Sequence, residues 1–271
     1  QPCALAWVGD ALVAATYDYV EAEGTRVGGL CLLRDTEIAA TLELRGGYAL
    51  APRGSQLAVA TADGRVALVD VAETLTASTV SEPKGHLFTD VVWDGPDALI
   101  VAEGDSGRVS RWRADDGLVE SQSWDAHAYA PGCPAEVWCV GRDPSTGLYV
   151  SGADDGLLKG WDLRAPKPAL ALRHGAGVTA VLCDDDAVAT GSYDESVRLW
   201  DLRAPAAPTA SVAVGGGAYA LARDGDGYLA ACMGAGARVL RAAPLAVAGV
   251  YDHHGSVVYG AVRHGASRRI A

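Results

Sequence analysis

The sequence predicts an all-β fold built from repeated four-stranded units, and three observations carry that prediction. A pattern recurs along the chain with a mean period of about 44 residues, the length of a four-stranded propeller blade. Within each copy an apolar run leads into a turn containing Asp or Gly, and an alternating run then closes on an apolar or Trp position. Long amphipathic helix patterns are absent. The predicted fold class is therefore a β-propeller of about seven blades, the last one incomplete.

The elements follow in order. "VATADGRVALVD" places Val69 in the anchor position, and "VAEGDSGRVSRW" ends on Trp112. "VSGADDGLLKGWDLRAP" covers 150–166 with Trp161, and "ATGSYDESVRLWDLRAP" covers 189–205 with Trp200. Trp161 and Trp200 stand 39 residues apart. The run Leu57-Ala58-Val59-Ala60 precedes Asp63-Gly64, and Ala187-Val188-Ala189 precedes Asp194. Asp and Gly tolerate the positive φ of a tight hairpin. Pro166 and Pro205, each after Leu-Arg-Ala, are expected to end their strands because proline cannot donate to a ladder. This spacing predicts one propeller domain over 1–271, with blades near 3–35, 41–73, 80–116, 123–164, 170–203 and 209–243. A partial seventh is expected at 251–271, with no room for its outer strands. An unclosed ring exposes strand edges, so the chain is expected to be truncated or to carry a misread end.

Composition narrows the function. The 271 residues are 49% hydrophobic, which suits a globular core. Asp and Glu number 34 against 22 Lys and Arg, a formal charge of -12 at pH 7. A nucleic-acid surface wants clustered cations, and the one basic run, Arg263, Arg268 and Arg269, reads as a frayed end. No nucleic-acid partner is expected. The longest uncharged stretch, between Arg203 and Arg223, is broken by Pro205, Pro208 and Gly215-Gly216-Gly217, so no membrane span is expected. No secretion signal opens the chain, and Gln1 suggests a processed chain or a fragment. Cys3, Cys31, Cys133, Cys139, Cys183 and Cys232 are dispersed without a CxxC pair. Neither a metal nor a cofactor is expected, and reduced thiols point to a cytoplasmic protein, expected to be monomeric.

Enzyme motifs are scarce. Gly104-Asp105-Ser106-Gly107 has the wrong spacing for a nucleophile elbow. Asp154-Asp155 lies in a repeat hairpin, and Asp184-Asp185-Asp186 reads as a solvated turn. His253 and His254 precede "SVVYGAV", which reads as an inner strand, so one of them is expected at a channel rim.

These repeats resemble the WD-repeat family, a β-propeller family whose blades often share a hydrogen-bonded His, Ser, Asp and Trp. His174, Ser192, Asp194 and Trp200 match all four. His127, Asp155 and Trp161 match three, with Ala153 in place of the Ser. His86 and Trp112 match two, with Ser106 in the Asp position. The His127 copy holds eight extra residues, "AYAPGCPA" at 128–135.

A narrower resemblance is carried by "SGADDGLLKGWDLR" (151–164), "ATGSYDESVRLWDLR" (189–203), "YLAACMGAGARVL" (228–240) and "SVVYGA" (256–261). The early "LVAATYDYVEAEGTRVGGLCLLR" and the spacing of His127, Glu136 and Trp138 add to it. Together they resemble the diphthine methyl ester hydrolases of diphthamide biosynthesis, formerly described as methyltransferases. The chain departs from that family in its insertion at 128–135 and in its lack of a final repeat.

The resemblance implies a cytosolic enzyme whose protein substrate is elongation factor 2. It would hydrolyse the methyl ester of a modified histidine that also bears a trimethylammonium group, giving diphthine and methanol. Ester hydrolysis needs an activated water or nucleophile and donors for an oxyanion. On that reading the catalytic candidates are His254 with Glu136 first, then His127 and His174. A trimethylammonium group favours aromatic faces and diffuse negative charge, which nominates Trp138, Tyr219 and Tyr259, read as early positions of three successive blades. The alternative is a non-catalytic WD-repeat scaffold, for instance an adaptor in a ubiquitin-ligase or trafficking complex.

Overall fold

A computed structural model describes residues 2–22, 24–34, 37–115, 117–165, 167–185, 187–253 and 257–262. They group into two compact units, one ending at Asp125 and the other beginning at Ala126, and each is taken by itself.

The first unit holds three four-stranded antiparallel meanders. They are β1 (Pro2–Val8), β2 (Ala11–Val20), β3 (Thr25–Arg34) and β4 (Glu37–Leu44); β5 (Gly47–Arg53), β6 (Gln56–Thr61), β7 (Val66–Val71) and β8 (Leu75–Val80); and β9 (Asp90–Trp93), β10 (Ala98–Glu103), β11 (Arg108–Arg113) and β12 (Val119–Asp125). A 3-10 turn over Gly104–Ser106 joins β10 to β11 and closes on Gly107 at φ 71°.

The second unit opens with a short hairpin, β13 (Ala128–Ala130) and β14 (Cys133–Pro134), which is the eight-residue insertion. Three further meanders follow: β15 (Val137–Arg142), β16 (Tyr149–Ala153), β17 (Leu157–Trp161) and β18 (Leu170–Arg173); β19 (Val178–Cys183), β20 (Val188–Ser192), β21 (Ser196–Trp200) and β22 (Ala210–Ala213); and β23 (Ala220–Asp224), β24 (Gly227–Ala231), β25 (Ala237–Ala242) and β26 (Leu245–Tyr251). Beyond β26 an antiparallel bridge joins Val258 to Met233.

The sheets are offset from the sequence windows by about one strand. The fourth strand of each meander falls past the end of the expected window. Thus β26 reaches Tyr251, the residue at which a seventh blade was expected to open. The reason is burial. Strand β6 is buried at every position but its first, so it reads as a continuous apolar run, whereas β8 alternates buried and exposed residues and carries a weaker signal.

Within each unit successive sheets pack face to face, and strand alternation divides a strand flanked on both sides between two neighbours. Val59 packs with Val13, Leu30 and Leu32 of the first sheet. Its neighbours Ala58 and Ala60 pack with Val91, Leu99 and Trp112 of the third. In the second unit Val150 and Leu158 meet Val178, Val188 and Trp200. Ala189, Val197 and Leu199 meet Tyr228, Ala230 and Leu240. Each such fully buried Leu or Val contributes about 1.5–3 kcal/mol.

The prolines do not end the third strands. Strands β17 and β21 stop at Trp161 and Trp200, where an aspartate turn takes over: Arg164 N donates to Asp162 Oδ1 at 3.0 Å and Arg203 N to Asp201 Oδ1 at 3.0 Å. No helix among the described residues is long and apolar enough to cross a membrane. All six cysteines are free thiols.

Candidate functional site

The repeat histidines are the first candidates to place. His127 is buried, and both of its ring nitrogens are engaged. Its Nδ1 donates to Asp155, 2.9 Å from Oδ2 and 3.0 Å from Oδ1, because a carboxylate can only accept. Its Nε2 lies 2.8 Å from Ser151 Oγ, and Trp161 Nε1 donates to the same hydroxyl at 2.8 Å. The full four-residue set is therefore present. Ser151 supplies the hydroxyl that was expected to be missing at Ala153, because Ser151 lies two residues along β16 from Tyr149, the register partner of Trp161, and so on the same face. Burial lowers the His127 pKa and outweighs the raising effect of Asp155. The ring is held neutral, with no nitrogen left for a substrate.

In the next sheet the hydroxyl is Thr190, which overturns the assignment to Ser192. His174 Nε2 lies 2.9 Å from Thr190 Oγ1, and Trp200 Nε1 donates to that oxygen at 3.0 Å. Ser192 instead donates to Ala176 O at 3.2 Å and accepts from Asp194 N at 3.1 Å. Asp194 does not reach the imidazole. It accepts from Gly175 N at 2.8 Å and from the Ser196 hydroxyl, and it forms an ion pair with Arg198, whose Nη1 lies 2.8 Å from Oδ2. His174 Nδ1 is buried without a partner. Burial, then the nearby Arg198 charge, lowers its pKa to about 4. Both histidines belong to the framework, which removes them as candidate bases. In the third sheet Ser106 does not take the Asp part. His86 Nε2 bonds Glu103 Oε2 at 3.1 Å, and that bond raises the His86 pKa.

A second cluster has different chemistry. Trp138, the second residue of β15, donates from Nε1 to Asp154 Oδ1 at 2.7 Å. Its ring meets Tyr193 edge to face at 6.2 Å and Tyr219 at 6.1 Å. Tyr219 in turn meets Tyr259 at 4.9 Å. All four rings and Asp154 are half-buried, so the cluster is reachable from solvent. Asp154 and Tyr193 are the first residues after β16 and β20, 39 positions apart, where the chain leaves the sheet. Asp154 N is anchored on Glu136 O at 2.9 Å, and Tyr193 N on Gly177 O at 2.9 Å. Gly177 and Gly217 leave room for the rings. A methyl on Gly177 would stand 2.6 Å from Asp154 Oδ1 and 3.1 Å from a Tyr193 ring carbon. One on Gly217 would stand 3.0 Å from Met233 Sδ and 3.1 Å from Tyr193.

The three aromatics picked from the sequence thus converge, but not as successive-blade equivalents. Trp138 belongs to the fourth sheet and Tyr219 precedes the sixth. The fifth sheet contributes Tyr193 from the end of its second strand instead. Tyr193, Asp154 and Met233 escaped sequence reasoning because they lie in hairpins read as generic repeat turns. The shared position of Asp154 and Tyr193 in two aligned repeats was the available signal.

Glu136 is half-buried beside Asp154. The insertion hairpin brings Tyr129 within electrostatic reach of Asp154 and Glu136. Desolvation, then the charges of Asp154, Asp155 and Glu136, raise its phenol pKa. Tyr129 is 59% exposed, an aromatic standing free at the mouth of an acidic, ring-lined surface. His253 is exposed, and His254 lies outside the described residues, as do Asp186 and the basic tail. Asp184, by contrast with a solvated turn, pairs with Arg223 of the next sheet at 3.3 Å. Among the described residues no group of three or more His, Cys, Asp or Glu is placed to hold a metal ion. The arrangement suits a cation that cannot donate hydrogen bonds, since ring faces and carboxylates attract charge without requiring an N–H.

Residues 167–201 match the model of the WD domain, G-beta repeat. A chain of a mitotic checkpoint complex crystal structure superposes with a TM-score of 0.76 at 16% identity, covering 98% of this chain and 85% of its own. Its fold is that of a β-propeller, with a WD repeat matched at residues 167–201. This propeller is 36% identical over 134 residues to a protein named diphthine methyltransferase from Homo sapiens, covering 45% of this chain and 28% of the relative. It is 30% identical over 147 residues to a diphthine methyltransferase homolog from Dictyostelium discoideum, covering 47% of this chain and 38% of the relative. The propeller chain therefore spans about a third of the length of these curated relatives.

Proposed function

We propose that this chain acts in diphthamide biosynthesis as a hydrolase of the methyl ester on methylated diphthine, with elongation factor 2 as its protein substrate, in the cytoplasm. The observation that carries the reading is the linked set Tyr193–Trp138–Tyr219–Tyr259 against Asp154 and Glu136. Its chemistry fits a trimethylammonium group, which offers charge and no donors. The similarity to proteins named diphthine methyltransferase supports the same pathway. On this reading the cluster seats the cation, and a carboxylate or histidine at the rim activates water against the ester. With His127 and His174 engaged in the framework, Glu136 and His254 are the residues proposed for that step.

Mass spectrometry of the modified elongation factor 2 peptide, with a trace of this protein, tests the proposal. Loss of one ester methyl over many turnovers, without added methyl donor, is the expected result. Gain of methyl groups only when a methyl donor is supplied would assign transfer instead. A WD40 match equally suits a scaffold. Stoichiometric capture of unmodified elongation factor 2 with no change in peptide mass would move the assignment there.

A further inference from the structure

A second feature lies in the first unit, apart from the cluster above. A cleft of about 820 Å³ opens beside β3 and β4, and a smaller cavity of about 270 Å³ adjoins it. Arg26 and Arg45 line both, and Arg65 lines the larger. In a chain of net charge -12 such a cationic concentration is unusual. The ladder itself creates it. A parallel bridge pairs Gly28 of β3 with Arg45, the residue just past β4, which sets Arg45 beside the strand that carries Arg26.

The three guanidiniums differ in what neutralises them. Arg65 pairs with Asp63 at 2.9 Å and donates to Ser81 O at 3.1 Å. Arg26 donates Nη1 to the uncharged Ala62 carbonyl at 3.2 Å, and its Nε is buried without a hydrogen-bond partner. Arg45 is exposed and has no ion pair among the described residues. Glu43 is the acidic residue on the wall of the larger cleft, while Val27 and Val80 supply apolar surface. Two guanidiniums with spare donors match the planar, bidentate geometry of a carboxylate or phosphoryl group. The volume lies within the range of small-molecule pockets, about 300–1,000 Å³, so there is space for an organic body behind an anionic head.

We propose that this cleft is a binding site for a small organic anion, with Arg26 and Arg45 holding a phosphoryl or carboxylate head and Val27 and Val80 covering an apolar body. The assignment does not depend on the activity proposed above.

Isothermal titration of the whole chain with phenyl phosphate and with benzoate tests it. Saturable binding of at least one probe is expected, the stronger probe identifying the head group. Arg45→Gln should weaken it about tenfold or more, the loss of a charge-assisted bidentate contact. The Arg45 side chain makes no ion pair among the described residues and its backbone bridge to Gly28 is untouched by the substitution, so this variant should remain folded. Arg26→Gln should act in the same direction, while Arg203→Gln, on an exposed turn pair, should bind as the parent does. Absence of saturable binding of both probes up to about 10 mM, or equal affinity in parent and Arg45→Gln, would overturn the site.

Discussion

Lowering the pH should destabilise this protein through His174, and the size of the loss follows from its surroundings. The ring is 5% exposed, its Nδ1 has no partner, and Arg198 adds unfavourable charge to the protonated form. Its pKa falls from the ordinary 6.5 to about 4 in the folded state. The unfolded chain therefore binds the proton first. The stabilisation is fully present above the unfolded value and is lost as pH falls from there through the folded value. At about 1.4 kcal/mol per unit the whole effect is about 3 kcal/mol, of which about 2 kcal/mol is gone by about pH 5. Chemical denaturation of the parent and of His174→Gln at about pH 7.5 and about pH 5 isolates the effect, since every other group titrates in both proteins. The parent should lose about 2 kcal/mol more than the variant. Equal losses would refute the reasoning and return His174 to the pool of accessible, titrating histidines.

Other outcomes follow from the same geometry. His86 has the opposite sign: its raised pKa means that the stability it shares with Glu103 is present below about 6.5 and is lost as pH rises through the folded value. His86→Gln should erase that alkaline loss in the same denaturation assay. Thr190→Val strands the Trp200 and His174 nitrogens and should cost about 2 kcal/mol, while Ser192→Ala should cost about 1 kcal/mol. The reverse order in thermal unfolding would restore Ser192 to the hydrogen-bonded set. Trp138→Ala should raise KM for the methylated factor about tenfold and leave the circular dichroism spectrum intact. Gly217→Ala should weaken the same binding, because its methyl displaces Met233 and Tyr193. Unchanged KM in both variants would remove the aromatic cluster from substrate binding.

Much of this architecture is legible in the amino-acid sequence. The central strands announce themselves because they are buried on both faces, as Leu57-Ala58-Val59-Ala60 shows, and the Trp anchors repeat because each closes the same hydrogen-bonded position. The outer strands were displaced by one element because alternating, half-exposed sequences such as Leu75–Val80 resemble ordinary surface segments. Hydroxyl partners were misplaced by two residues for a related reason. Residues i and i+2 share a face of a strand, so Thr190 and Ser192 satisfy the same periodicity, and only the depth of the Trp200 ring selects between them.

The sequence by itself determined the repeat, the β class, the acidic surface and the resemblance that nominated Trp138, Tyr219 and Tyr259, because these depend on spacing and on residue type. Tertiary structure alone decided which of those side chains meet. It buried His127 and His174 in the framework, drew Tyr193 and Asp154 from two generic hairpins into the aromatic cluster, and gathered Arg26 and Arg45 at one cleft. Contacts between sheets join residues about 40 or more positions apart, and strand periodicity records which face a residue takes but not which neighbour arrives opposite it.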